Sequence, residues 1–126
     1  MEHVFVDTWA FVAQADRRDA QHSAATEALT RIADRGWRLL TSTDVVDEAV
    51  TAVNSLLGGK AAVQFLGDLE AMALGDELAL IAITEARHAA GAKIFRRLAL
   101  EVSRLSLTDC TSFAVMGELG LKGQGG

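Results

Sequence analysis

Apolar positions along this chain change their spacing several times, and each change marks where one element gives way to the next. Val4, Phe5 and Val6 form a short run of strand-favouring residues that stops at Asp7. This predicts a buried strand with Asp7 at its carboxyl end. Beyond a short helical piece from Trp9 to Val12, residues Ala24, Ala25, Ala28, Leu29 and Ile32 recur at three- and four-residue spacing. They predict a helix from Asp19 to about Asp34, stopped by Gly36. Trp37 to Leu40 is a second brief apolar run. The following TSTD supplies caps for a helix carrying Val45, Val46, Ala49, Val53, Leu56 and Leu57, closed by Gly58 and Gly59. A further helix is predicted from Lys60 to about Met72 and a third strand from Leu78 to Ile83. TEARHAAGAKIFRRL then reads as helix, LSL as a short extended piece, and TDCTSFAVMGEL as a last helix ended by Gly120.

Strands that alternate with helices require crossover connections, which predict an α/β fold with a short parallel sheet. Ligand sites in such sheets lie outside the carboxyl ends of the strands, the edge on which Asp7 falls. Proline is absent, so every break comes from glycine or a capping side chain. No repeat or linker divides the 126 residues, which suit one domain. The tail, residues 122–126, carries no apolar anchor and is expected to be frayed.

Composition narrows the chemistry. Half the residues are hydrophobic and 23% charged, enough for a real core. No apolar run approaches the roughly 20 residues of a membrane span, and the N-terminus lacks the order of a signal peptide, so a cytoplasmic protein without a membrane partner is expected. The single Cys110 and the scattered His3, His22 and His88 offer neither a disulfide nor zinc spacing. With 17 acids against 12 bases, the net charge of -5 repels a polyanion, so nucleic acid would have to be held through local arginines and bound cations.

Three acids stand at element junctions. Asp7 directly follows the first strand, although the cap of the next helix is an equally ordinary use for it. Of Asp44, Asp47 and Glu48, only Glu48 borders the apolar stripe of its helix, at about 100° per residue, while the other two project toward the far side. A helix dipole accounts for acids in these first turns just as well. Asp109 opens the last helix in line with Phe113 and Met116, which predicts an inward carboxylate, and capping is again the alternative. Like charges held close raise one another's pKa unless a cation neutralises them, and carboxylate oxygens suit Mg²⁺ or Mn²⁺.

At these residues the chain resembles the PIN-domain family, in particular the VapC-type toxin ribonucleases of toxin-antitoxin pairs. VFVDTWAFVAQADRRDAQHSAA is similar to the family's first motif, in which an Asp ends the first strand and a helix with a His-x-x-Ala element follows. TSTDVVDEAVTAV resembles the second motif with its helical Glu, and LSLTDCTSFAVMGELGLKG the third. The resemblance implies a three-layer α/β/α fold and a metal-dependent endoribonuclease that hydrolyses RNA, the toxin of a type II pair. Asp7, Glu48 and Asp109 match the family's catalytic acids and would hold Mg²⁺ or Mn²⁺, with Thr8 and Ser112 as neighbouring hydroxyls. An antitoxin laying a peptide across the site and a homodimer are also implied. The family generally carries a fourth acid on or after a further strand; GQGG is reached before it, so a single PIN-like domain over 1–126 lacking that strand and acid is expected: either the sequence is truncated, or another acid such as Glu118 substitutes, or the domain binds metal and RNA poorly. A catalytically impaired module that binds protein or RNA is the competing reading. A receiver-like signalling domain should have a lysine near the site, and LSLTDC offers none.

Arg17 and Arg18, after the first motif, and Arg96 and Arg97, on the helix that also carries Arg87 and Lys93, are candidate RNA contacts, although charge runs on helices usually just face water. The apolar stretch Val63 to Leu69 is core or a partner surface. His22 and His88 are given no catalytic role.

Overall fold

In the computed structural model, which describes residues 2–121 and the backbone of 123–124, β1 (His3–Val6) is flanked by two parallel neighbours. On one side it pairs with β2 (Arg38–Ser42), His3 against Arg38 and Phe5 against Leu40. β2 pairs in turn with β3 (Leu78–Ile81), Leu39 against Leu78 and Ser42 against Ile81. With β4 (Gly123–Gln124) on the other side of β1, the order is β3-β2-β1-β4, all parallel, so every strand ends at the same edge.

Helices make the crossovers, as the alternating pattern requires. α1 (Thr8–Ala15) and α2 (His22–Asp34) join β1 to β2, and α3 (Thr43–Leu57) and α4 (Gly59–Leu74) join β2 to β3. α5 (Glu85–Leu98) and α6 (Leu107–Leu119) follow β3. Gly58, at φ +93°, and Gly120, at φ +65°, end α3 and α6 in a region that L side chains rarely enter. Phe5, Val6, Phe11, Leu40, Val45, Val53, Phe65, Leu69, Leu78 and Val115 form the common core.

One expectation needs correction. The tail was expected to fray, yet within it Gly123–Gln124 forms β4, parallel to β1 with Phe5 against Gly123; glycine and glutamine need no apolar anchor when the backbone ladder itself is satisfied. The rest of 122–126 lies outside the described residues. LSL leads into α6 as the short extended piece expected, with Ser106 at φ -95° and ψ 159° and its hydroxyl capping that helix.

Just before the carboxyl edge, the buried Thr41 hydroxyl donates to the Val6 carbonyl at 2.7 Å, tying β2 to the residue that precedes Asp7. Thr41→Val keeps the shape and removes the donor. It should cost about 1–2 kcal/mol, read as a lower denaturation midpoint at unchanged slope.

Candidate active site

A strand end, a turn and two helices each bring an acid to the carboxyl edge. Asp7 caps α1, its Oδ1 accepting from the Ala10 N–H at 3.2 Å. Glu48 lies in the second turn of α3, whose N-terminus is fixed by the buried Ser42 Oγ accepting from Val45 N–H. Asp109 belongs to a reciprocal capping box in α6. Its N–H donates to Ser106 Oγ at 2.9 Å, and its Oδ2 accepts from Ser106 N–H at 3.0 Å. Asp19, in the turn before α2, accepts from Gln21 N–H at 2.8 Å.

These acids line one open cleft of about 310 Å³, together with Thr8, Trp9 and Val12. Capping and site membership are therefore not alternatives. A carboxylate accepts at both oxygens, so a cap at one leaves the other available.

The electrostatics of the cleft centre on Asp7. Burial raises its proton affinity above the ordinary carboxylate value, the Ala10 N–H opposes the rise, and the charges of Asp109 and Glu48 add to it. Beside it the Thr8 hydroxyl is buried with no hydrogen-bond partner among the described residues, a polar atom with unused capacity in a residue that lines the cleft.

Among the described residues no three His, Cys, Asp or Glu side chains are gathered tightly enough to hold an ion as they stand. The donor chemistry nevertheless fits a hard cation. All donors are oxygens, one is an orphaned hydroxyl, and the site's like charges need neutralising. Mg²⁺ keeps several waters and takes one or two carboxylates directly, so an open cleft suits it better than a closed cage would.

The remaining expected residues are placed as follows. Ser112 is buried in α6 and does not line the cleft. Arg17 and Arg18 are exposed in the same turn as Asp19, with Arg18 Nε 3.7 Å from Asp16. Arg96 and Arg97 are exposed in the last turn of α5. That helix starts next to the carboxyl edge, so they sit about 17 Å further along its axis. Glu118 is not a substitute fourth acid in the cleft. Its carboxylate accepts from Arg87 at 2.7 and 3.3 Å, which holds its pKa below the usual range and occupies the arginine as well.

Helical spacing also misplaced two acids. Asp44 does not project away from the fold: its Oδ2 accepts from the buried Thr111 hydroxyl of α6 at 2.9 Å. The wheel showed one apolar stripe, but α3 packs on α6 through a polar contact that no stripe reveals. Asp109 is exposed to the open cleft instead of facing the core, because α6 turns Cys110, Thr111, Ser112 and Val115 inward and leaves Phe113 47% exposed. Asp19 was missed as a site residue. Its only sequence signal was an Asp within the stretch quoted as the first motif, in RRDAQH.

A larger pocket of about 520 Å³ opens at the opposite edge, where Trp37, Arg38, Asp76 and Glu77 lead into β2 and β3. Its acids, Asp68, Asp76 and Glu77, come from α4 and the turn that follows it, so size does not identify the reactive site here.

Comparison with known proteins agrees with this geometry. The family described as PIN domain matches residues 4–122, which include every acid of the cleft. The chain belongs to the PIN domain family. The parallel α/β fold and nuclease class expected from the motifs therefore hold for this PIN domain. Among solved structures it is similar to VapC20 of Mycobacterium tuberculosis, a sarcin-ricin loop cleaving toxin. The match has a TM-score of 0.76 and 28% identity, and covers 94% of this chain and 84% of that one. No curated protein matches this PIN domain.

Proposed function

We propose that this PIN domain is a divalent-metal-dependent endoribonuclease that hydrolyses RNA phosphodiester bonds as the toxin of a type II toxin-antitoxin pair. The observation that carries the reading is the convergence of Asp7, Asp19, Glu48 and Asp109, from the end of a strand, a turn and two helices, on one cleft at the carboxyl edge. Likeness to a sarcin-ricin loop cleaving toxin supports RNA as the substrate.

Asp7, Glu48 and Asp109 would hold Mg²⁺ or Mn²⁺, which supplies an activated water and neutralises charge on the reacting phosphate. Burial and the charges of Asp109 and Glu48 raise the proton affinity of Asp7, so a cation bound there would offset that repulsion. The unpartnered Thr8 hydroxyl can donate to a carboxylate or water and fix its orientation. Asp19, at the open rim, adds a carboxylate that can stay bonded through water. Its replacement by asparagine should lower activity about tenfold to a hundredfold, the range for groups that orient a metal site from outside its direct ligands, measured as kcat/KM.

The partners that accompany this reading are an antitoxin whose peptide crosses the acidic cleft and a second copy of the chain. Leu56 of α3 and Val63 of α4, 54% and 74% exposed, are apolar side chains that a second copy would cover. A cytoplasmic location goes with an RNA substrate. No helix among the described residues is long and apolar enough to cross a membrane.

The test is cleavage of a sarcin-ricin stem-loop and of unstructured RNA, with Mg²⁺, Mn²⁺ or chelator. Cleavage should require metal and be lost in Glu48→Gln and Asp109→Asn. Turnover in chelator, or undiminished turnover by both variants, would overturn the mechanism, and binding without cleavage would indicate a non-catalytic module.

A further inference from the structure

Within α1 the core takes up most of the apolar side chains and leaves one out. Ala10, Phe11 and Ala13 are sealed at 2%, 3% and 0% exposure, whereas Trp9 remains 41% exposed. Large exposed aromatic surface is informative in a way that an exposed leucine is not, because a ring of this size is normally drawn inward or covered by a ligand. Trp9 also lines the cleft itself, two residues after Asp7 and next to Thr8. Its backbone lies in the first turn of a helix pinned to the sheet by the Asp7 cap, so the ring is carried on a rigid element.

The cleft presents four acids on a chain of net charge -5, so it attracts a polyanion poorly even with a cation bound. Binding energy that does not depend on charge is then needed near the reacting phosphate. Stacking of a base on an aromatic ring provides it, and unpaired loop bases are the part of RNA that can be splayed onto such a ring. The other tryptophan is not available for this: Trp37 lies at the opposite edge with the Arg35 guanidinium 5.0 Å from its ring centroid.

We propose that Trp9 is the stacking platform for an unpaired nucleobase next to the phosphate held in the acidic cleft, and so selects RNA that is single-stranded or looped at the cleavage position. The inference rests on the ribonuclease reading for its substrate class. Trp9 acts by positioning and takes no part in bond making.

Because the chain has two tryptophans, Trp37→Phe leaves Trp9 as the sole indole reporter. In Mg²⁺, a short single-stranded oligoribonucleotide should quench its emission saturably. The same oligonucleotide with abasic central positions should bind about tenfold more weakly, the range measured for loss of one stacked base. In cleavage assays Trp9→Ala should raise KM about tenfold with a smaller change in kcat, and Trp9→Phe should recover most of the loss. Equal quenching by intact and abasic RNA, or an unchanged KM in Trp9→Ala, would overturn the proposal. If no form cleaves RNA but quenching still depends on the bases, the ribonuclease reading fails and the Trp9 assignment stands. Should Trp9→Ala not fold, the abasic comparison and Trp9→Phe still decide.

Discussion

Replacing Asp7 with asparagine should reduce metal-dependent RNA cleavage on the order of a thousandfold or more while leaving the fold intact. Asparagine is among the best helix caps, and its Oδ1 can still accept from the Ala10 N–H, so the local structure loses little. What disappears is a negative charge that interacts with those of Asp109 and Glu48, and with it one carboxylate for the cation. A structural role alone predicts the opposite pattern, with lower stability and activity falling in step.

The same substitution carries a pH signature. The proton affinity of folded Asp7 is raised, chiefly by burial, so the metal-free folded state holds a proton where the unfolded chain has already released it. The native state then binds more protons than the unfolded state across the window from the ordinary carboxylate pKa up to the raised one, and stability falls as pH increases through it. In chelator the wild type should lose stability over that window on going toward neutral pH, and Asp7→Asn should lose less. Mg²⁺ should raise the wild-type midpoint at neutral pH in a concentration-dependent way and raise that of the variant much less. Parallel pH profiles for the two proteins, followed by circular dichroism, would refute the assignment of this charge.

Gly91→Ala should be the most damaging small substitution outside the cleft. A Cβ at Gly91, in α5, would lie 2.5 Å from Thr111 Cγ2 and 2.9 Å from both the Thr111 Cα and its backbone N. Two of those atoms are main chain, so no rotamer relieves the contact. The Thr111 side chain is also held, its hydroxyl donating to Asp44 at 2.9 Å and to the Thr108 carbonyl at 3.1 Å. The gain in helix propensity, up to about 1 kcal/mol, is outweighed by overpacking of a rigid pair, leaving a net loss of about 2 kcal/mol and a fall in Tm on the order of 8 °C. Activity should fall too, because α6 carries Asp109. Gly117→Ala is the control: it lies in α6 with open space around its Cβ, and should be neutral or slightly stabilising. A Gly91→Ala protein as stable as the control would show that α5 and α6 separate without cost.

Much of the architecture could be read from residue order. A short apolar run broken by an acid located β1 and Asp7, and three- and four-residue spacing located α2, α3 and α4 within a few residues of their ends. Those signals are legible because a strand or helix writes its own period into the chain that forms it. The third motif was read less well. The inward face of α6 is Cys110, Thr111, Ser112 and Val115, small and half polar, so hydrophobicity pointed to Phe113 and placed Asp109 on the wrong side.

Local sequence alone determined which segments would be strand or helix, that the strands would run parallel, and that Asp7 would stand at their carboxyl edge. Tertiary structure alone decided which acids share a cleft. It added Asp19 from a turn, tied Asp44 to a hydroxyl 67 positions away, paired Glu118 with Arg87 and left Trp9 at the rim. The reason is that periodicity reports the face of a single element, whereas the direction of a charged side chain depends on neighbours contributed by distant parts of the chain.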